Sequence, residues 1–163
     1  MKLSFWILII LTSLLCSCEA LVPTGELDAD AVDEVFYSPK NASNKRAFVQ
    51  HDGTVFFSYD SSTNVETIRK DIDRHLHSRF WQIYENEWLN NWNVYENTSG
   101  DMNASVLKTV WSNDAGALFS YNIETENADR APPALIRMWL VPTHLASEYL
   151  DQWGVDQESR ATQ

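Results

Sequence analysis

One stretch of the chain, residues 71–77, holds two aspartates and two histidines, the side-chain types that bind metal ions and move protons. Asp71 and His75 are four residues apart, as are Asp73 and His77, so on a helix each pair would share a face. The two pairs would lie on different flanks of the apolar stripe of that helix, whereas a zinc site needs three or four converging ligands. We therefore interpret the stretch as a solvated face with ion pairs and expect no metal. His75 borders the stripe and could be half-buried, with Asp71 as its partner.

Aromatic side chains are concentrated in the stretch that follows. Trp81, Tyr84, Trp88 and Trp92 recur at spacings of three and four, among several asparagines. Rings exposed in a groove bind sugars or peptides, whereas rings that face a sheet pack into the core. The sequence leaves both interpretations open. These four residues are the candidate ligand-binding residues, and glycan strands of a cell wall are one ligand class that such rings would suit.

No catalytic signature accompanies these groups. The sequence lacks the Gly-x-Ser-x-Gly and His-Glu-x-x-His patterns and a phosphate-binding glycine loop. Glu85, Glu87 and Glu96 lie near the aromatic residues and could form a carboxylate pair for glycoside hydrolysis, but spacing does not distinguish such a pair from surface acids. We therefore expect a non-catalytic protein without a cofactor, and a small glycan hydrolase is the last alternative.

The N-terminus has the pattern of an export signal. Lys2 precedes an apolar run at residues 5–15, which is too short to span a bilayer core, since a helix needs about 20 residues for that. The run has the length and flanks of the hydrophobic region of a signal peptide. Both cysteines of the chain, Cys16 and Cys18, directly follow it, so a mature chain that begins at Cys18 would contain no disulfide.

The residues Leu15-Cys16-Ser17-Cys18 resemble the lipobox of bacterial lipoproteins, in which the last cysteine becomes lipidated. The resemblance implies that residues 1–17 are the signal peptide and that Cys18 is the lipidated first residue of the mature protein. It also implies a partner and a location: the cell membrane or outer membrane, held by the lipid anchor and facing the periplasm. An ordinary secretory signal cut after Ala20 and a retained membrane anchor are the alternatives.

The charge of the chain excludes some partners. Its 163 residues include 23 Asp+Glu and 12 Lys+Arg, a formal net charge of −11. Such a surface repels nucleic-acid phosphates and anionic lipid headgroups, so we expect no nucleic-acid partner and no charge-driven docking on lipid. We expect a module that binds a protein or a cell-wall component. The alternative is an immunity or inhibitor protein that neutralises a basic toxin or hydrolase.

The main helix is predicted over Thr63–Ser78. Thr63 and Glu66 fit a capping box, and four apolar residues recur on one stripe, namely Val65, Ile68, Ile72 and Leu76. The aromatic stretch leaves open whether the helix breaks near Ser78 or continues to Leu89. Residues 143–153 fit a short C-terminal helix that ends at Gly154.

Alternating apolar residues predict strands on both sides of the main helix, and an Asp52-Gly53 turn predicts a hairpin before it. Strands in runs indicate a single α+β domain. We expect an antiparallel sheet of about five to six strands, with the main helix and the short C-terminal helix on one face. The domain is predicted at residues 46–154, after an acidic tether at 18–45 and before a flexible tail at 155–163.

Overall fold

The computed structural model describes residues 25–84, 89–96, 103–126 and 129–155. Within these residues the chain forms one antiparallel sheet of eight strands with two α-helices, so the expected α+β class is confirmed, while the strand count was too low. The strands are β1 (Gly25–Leu27), β2 (Ser43–Val49), β3 (Val55–Ser61), β4 (Gln82–Ile83), β5 (Trp92–Glu96), β6 (Asn103–Ser112), β7 (Leu118–Thr125) and β8 (Ala134–Val141). The helices are α1 (Val65–His77) and α2 (Ala146–Gln152), and a 3-10 turn at Thr143–Leu145 precedes α2. Neither α-helix is long and apolar enough to cross a bilayer.

The strands are ordered β1-β2-β3-β8-β7-β6-β4, and β5 also pairs with β6. Directly opposed residues of antiparallel strands point to the same side of the sheet, so the register assigns the two faces. One cross-strand row contains Phe57, Met138 and Tyr121, and α1 packs on this side, which we call the helix face. The neighbouring row, which contains Phe56 and Trp139, points to the opposite side, which we call the open face.

The helix α1 is held to the sheet by the predicted apolar stripe. Its four members are buried in the helix-face core: Val65, Ile68, Ile72 and Leu76. The predicted cap at Thr63 is wrong by one residue, because Oδ1 of Asn64 accepts hydrogen bonds from the backbone nitrogens of Glu66 and Thr67 at 3.0 and 3.3 Å. The hydroxyl of Thr63 instead accepts a 3.0 Å hydrogen bond from the amide of Asn41.

The chain breaks away from α1 directly after His77 and does not continue as a helix to Leu89. The backbone nitrogen of Trp81 reaches back to the carbonyl oxygen of Leu76 at 3.2 Å, which closes the helix end. This closure places Phe80 in the left-handed region, at φ 63°. The following residues enter the edge strand β4, so the aromatic stretch is not a continuation of the helix.

Ordered structure begins before Arg46, within the segment that was expected to be a tether. The residues Gly25–Leu27 pair with β2, and Phe36 is buried on the helix face, 5.3 Å from Phe57 and 5.4 Å from Phe119 between ring centroids. Burying one such ring contributes about 1.5–3 kcal/mol, enough to dock a short segment. Residues 18–24 of the expected tether lie outside the described residues.

The two helices pack on different faces of the sheet, which corrects the expectation that they share one. Leu150 of α2 packs in a second core on the open face, together with Val110 and Val141. The 3-10 turn that follows β8 returns the chain over this side of the sheet. Gly154 ends the helix at φ 68°, as predicted, but Val155 is buried in the same core and so is not part of a tail. Residues 156–163 lie outside the described part of the chain.

Candidate functional site

The structure does not gather the four predicted ligand-binding aromatics into one groove. Trp81 and Trp92 pack against the helix-face core, and the ring centroid of Trp81 lies 5.8 Å from that of Phe119. Tyr84 is buried in the open-face core, on the other side of the sheet. Trp88 lies outside the described residues. The three aromatic residues that can be placed are therefore divided between two cores.

Trp92 is partly exposed, but its indole ring already has partners within the protein. Its indole Nε1 donates a 3.3 Å hydrogen bond to a carboxylate oxygen of Glu66. The guanidinium carbon of Arg130 lies 4.7 Å from the centroid of its ring, in a cation–π contact. These contacts explain the position of the ring without a ligand.

Asp71 and His75 face the N-terminal segment instead of forming a metal site. The hydroxyl of Tyr37 donates a 3.2 Å hydrogen bond to Asp71, and Nε2 of His75 lies 3.1 Å from the carbonyl oxygen of Val35. The second ring nitrogen of His75 lies 3.2 Å from a guanidinium nitrogen of Arg79, so its partners are these two groups and the expected pairing with Asp71 is wrong. Burial lowers the pKa of His75. Together these contacts tie residues 35–37 to α1.

The second pair, on the other flank of α1, also has structural partners. Tyr121 of the sheet donates a 2.6 Å hydrogen bond to Asp73, and Arg69 lies 3.9 Å from the other carboxylate oxygen. Burial raises the pKa of Asp73 in spite of these contacts. The ring of His77 packs edge-on against Trp111, with centroids 4.9 Å apart. Among the described residues, no group of three or more potential ligands could hold a metal ion.

A row of aromatic rings lies on the open face instead. Phe48, Phe56 and Trp139 are directly opposed on β2, β3 and β8, and their ring centroids are 4.7 and 5.3 Å apart. We call these three residues the aromatic row. Phe48 is 39% exposed, which is high for a large apolar side chain, and the other two rings are partly exposed. The row is an apolar surface that a ligand can reach.

A second cross-strand row runs beside the aromatic row and carries positive charge. Its members, from β2 to β6, are Arg46, Ser58, Arg137, Asn122 and Lys108. We call Arg46, Arg137, Asn122 and Lys108 the basic row. Its cations lie on every second strand, so their backbones are about 10 Å apart. Arg137 donates a 2.6 Å hydrogen bond to Glu124 through one nitrogen.

Lys108 is the most unusual member of this row. Its ammonium nitrogen lies 5.1 Å from the ring centroid of Trp153, and it makes no hydrogen bond or ion pair within the part of the chain that the structure describes. Burial alone lowers the pKa of Lys108 to about 8. Beside it, the side-chain oxygen of Asn122 is buried without a hydrogen-bond partner. The amide oxygen of Asn122 therefore lacks the polar partner that a buried polar atom ordinarily has.

A cavity of about 560 Å³ continues this surface toward the end of β3 where α1 follows. Val106, Pro133 and Leu135 belong to its apolar lining. Three carboxylates also line it, those of Asp60, Glu124 and Glu126. Two of these carboxylates are already held by the protein, because Asn44 donates a 2.6 Å hydrogen bond to Asp60 and Arg137 contacts Glu124. The open face therefore combines apolar rings, cations and a carboxylate-lined depression.

The aromatic row of the open face does not follow from the alternation of apolar residues, because strict alternation indicates only one apolar face for each strand. In β3 and β8, apolar residues occupy consecutive positions, as in Val55-Phe56-Phe57 and Met138-Trp139-Leu140. Such runs indicate strands with apolar side chains on both faces, and this signal could have located Phe56 and Trp139. Nothing in the sequence indicates that the bases of β2, β6 and β8 lie in one row, because this depends on strand order and register.

The fold and this surface are the basis for interpreting the protein. No family model matches the chain, and no curated protein or solved structure matches it either.

Proposed function

We propose that this protein is a lipid-anchored module of the bacterial cell envelope that binds a protein or a cell-wall component through its open face. The resemblance of Leu15-Cys16-Ser17-Cys18 to a lipobox supports attachment by lipid at Cys18. The aromatic row is the observation that supports a binding role. Three adjacent rings form a continuous patch, whereas exposed apolar side chains are ordinarily scattered singly over a protein surface.

The proposed role is binding and not catalysis. Asp71 of α1 accepts a hydrogen bond from Tyr37 of the N-terminal segment, and Asp73 of the same helix accepts one from Tyr121 of the sheet. The carboxylates of Asp60 and Glu124 at the cavity have partners that keep them fixed. A general acid or nucleophile would need to be directed at a substrate, and these groups are directed at the protein itself.

The cavity favours a second candidate function, that of an inhibitor or immunity protein that neutralises a basic toxin or hydrolase. Asp60, Glu124 and Glu126 line a cavity of about 560 Å³, a volume larger than that of a lysine or arginine side chain of such a partner. A small glycan hydrolase that uses Glu85, Glu87 or Glu96 is the remaining alternative, and the side chains of these three residues lie outside the described part of the chain.

The proposed function is tested by adding the full-length Cys18→Ser protein, which lacks the anchor, to envelopes of cells that do not make the protein. We expect saturable co-sedimentation that Phe48→Ser weakens at least about tenfold, since a central aromatic contact is worth more than about 1.4 kcal/mol. The matched control is Val35→Ser, because Val35 is 43% exposed, similar to Phe48 at 39%, and lies in the segment packed on the helix face. Equal losses in the two variants, or no saturable binding, would contradict the proposal.

A further inference from the structure

We propose that the ligand of the open face is a carboxylate-bearing polysaccharide strand, with its carboxylates on the basic row and its sugar rings on the aromatic row. This inference rests on the proposed function, because it names the chemical class of the component that the open face binds.

The basic row is positively charged, whereas the chain as a whole carries a net negative charge. Acids outnumber bases 23 to 12 in the sequence, yet Arg46 and Lys108 have no carboxylate partner within the part of the chain that the structure describes. Arg137 uses one nitrogen for Glu124, and its side chain stays 40% exposed. Lys108 is partly withdrawn from water, and a ligand carboxylate would supply the opposite charge that it lacks within the described residues.

Asn122 adds a neutral polar group to the basic row, and a ligand that binds there can be expected to carry neutral polar groups as well. It lies between Lys108 and Arg137 in the same row, and its side-chain oxygen is buried without a partner. The side chain of Asn122 as a whole is partly exposed, so its amide group can contact a ligand that carries hydroxyl groups. A sugar hydroxyl donates to an amide oxygen and accepts from an amide nitrogen. The row therefore offers contacts to an anion and to a hydroxyl within one strand spacing.

The surface of a sheet favours a polysaccharide over an acidic peptide. The backbone N–H and C=O groups of β3, β7 and β8 are used for pairing with neighbouring strands, so the open face presents few groups that could satisfy a peptide backbone. A sugar ring has no such requirement, because it can place its C–H groups on an aromatic ring and keep its remaining hydroxyls in water. The partly exposed rings of Phe48, Phe56 and Trp139 provide such a surface beside the cations.

The test uses the full-length Cys18→Ser protein and three probes: peptide-free wall glycan strands, the same strands with amidated carboxylates, and poly-glutamate. We expect the protein to bind the strands, amidation of their carboxylates to weaken this binding at least about tenfold, and poly-glutamate to bind more weakly than the unmodified strands. Arg46→Gln and Lys108→Met should each weaken binding to the strands about tenfold. Lys70→Gln is the control, because Lys70 is exposed on α1 and should leave binding unchanged.

Each result decides between the two proposals. Undiminished binding to the amidated glycan strands overturns the inference, and tighter binding to poly-glutamate than to the unmodified strands replaces the polysaccharide by an acidic protein. If Phe48→Ser weakens envelope binding while amidation does not change binding to the strands, the proposed function is supported and this inference is rejected. Arg46 is exposed, so Arg46→Gln tests the basic row independently of Lys108.

Discussion

The ammonium nitrogen of Lys108 lies 5.1 Å from the centre of the Trp153 ring, where the sheet meets the segment that follows α2. A cation–π contact of this kind contributes about 0.5–2 kcal/mol, which offsets only part of the cost of removing a charge from water. Lys108 is thus held beside Asn122 at the expense of stability. Positions that reduce stability in this way are frequent at functional sites, where the ligand supplies the missing interaction.

Lys108→Met should therefore stabilise the protein at pH 7. Burial lowers the folded-state pKa of Lys108 to about 8 from 10.5, so between these values the unfolded chain binds more protons. The free energy of unfolding of the wild type should then rise with pH in this interval, through Lys108. The advantage of Lys108→Met should be largest at pH 7 and smaller at pH 9.5, as measured by urea denaturation. A constant difference between the two pH values would show that Lys108 does not titrate as described.

Phe80→Gly should raise the free energy of unfolding by about 0.5–1 kcal/mol. Phe80 has φ 63° and is 83% exposed, so the protein bears the strain of a left-handed residue and gains little burial from the ring. Relief of about 1–2 kcal/mol of strain exceeds the entropy of about 0.4–1 kcal/mol that glycine adds to the unfolded chain. Phe80→Ala is the control, because it removes the ring and keeps the strain. Stabilisation by alanine as large as that by glycine would exclude backbone strain as the cause.

Ile72→Ala should cost about 2–5 kcal/mol, because Ile72 is fully buried between α1 and the sheet and its removal leaves a cavity. The exposed His77 of the same helix contacts Trp111, so His77→Ala should cost no more than about 1.5 kcal/mol. Both values are read from urea denaturation midpoints. Comparable losses of unfolding free energy in the two variants would mean that the apolar stripe of α1 is not the side of the helix that packs in the core. A His77→Ala protein that is stable but no longer binds envelopes would place function on the helix face.

Labelled fatty acid should enter the wild-type protein and not Cys18→Ser. A single acyl chain gives only marginal anchoring, at about 0.8 kcal/mol for each buried CH₂, so stable attachment requires more than one chain. Lipoproteins of the family that the signal resembles carry three chains. Fractionation of the two proteins should therefore place the wild type with membranes and release the variant or leave it unprocessed. A wild-type protein that takes up no label would exclude lipid anchoring.

Local sequence patterns were sufficient for the parts of the fold that depend on one element. The apolar stripe that contains Ile68 and Ile72 predicts the buried side of α1, because helical periodicity decides it. The Asp52-Gly53 turn predicts the β2–β3 hairpin, and Gly53 has φ 87° as such a turn requires. Gly154 marks the end of α2 for a similar reason.

Features that depend on contacts between distant residues could not be predicted. Phe36 lies in an acidic segment that composition assigns to a tether, and only its contacts with Phe57 and Phe119 show that it belongs to the core. The open face likewise follows from strand order, which places Arg46 and Lys108 in one row although 62 positions separate them in the chain. Periodicity within a strand contains no information about that order.

The most direct test is to observe the indole N–H resonances of the ¹⁵N-labelled protein by NMR while soluble wall glycan strands are added. Trp139 lies in the aromatic row on the open face, whereas Trp81 and Trp92 pack on the helix face. The binding surface described above predicts that the resonance of Trp139 shifts with saturation, while those of Trp81 and Trp92 remain in place. Shifts confined to Trp81 and Trp92 would contradict it and would place the binding surface on the helix face.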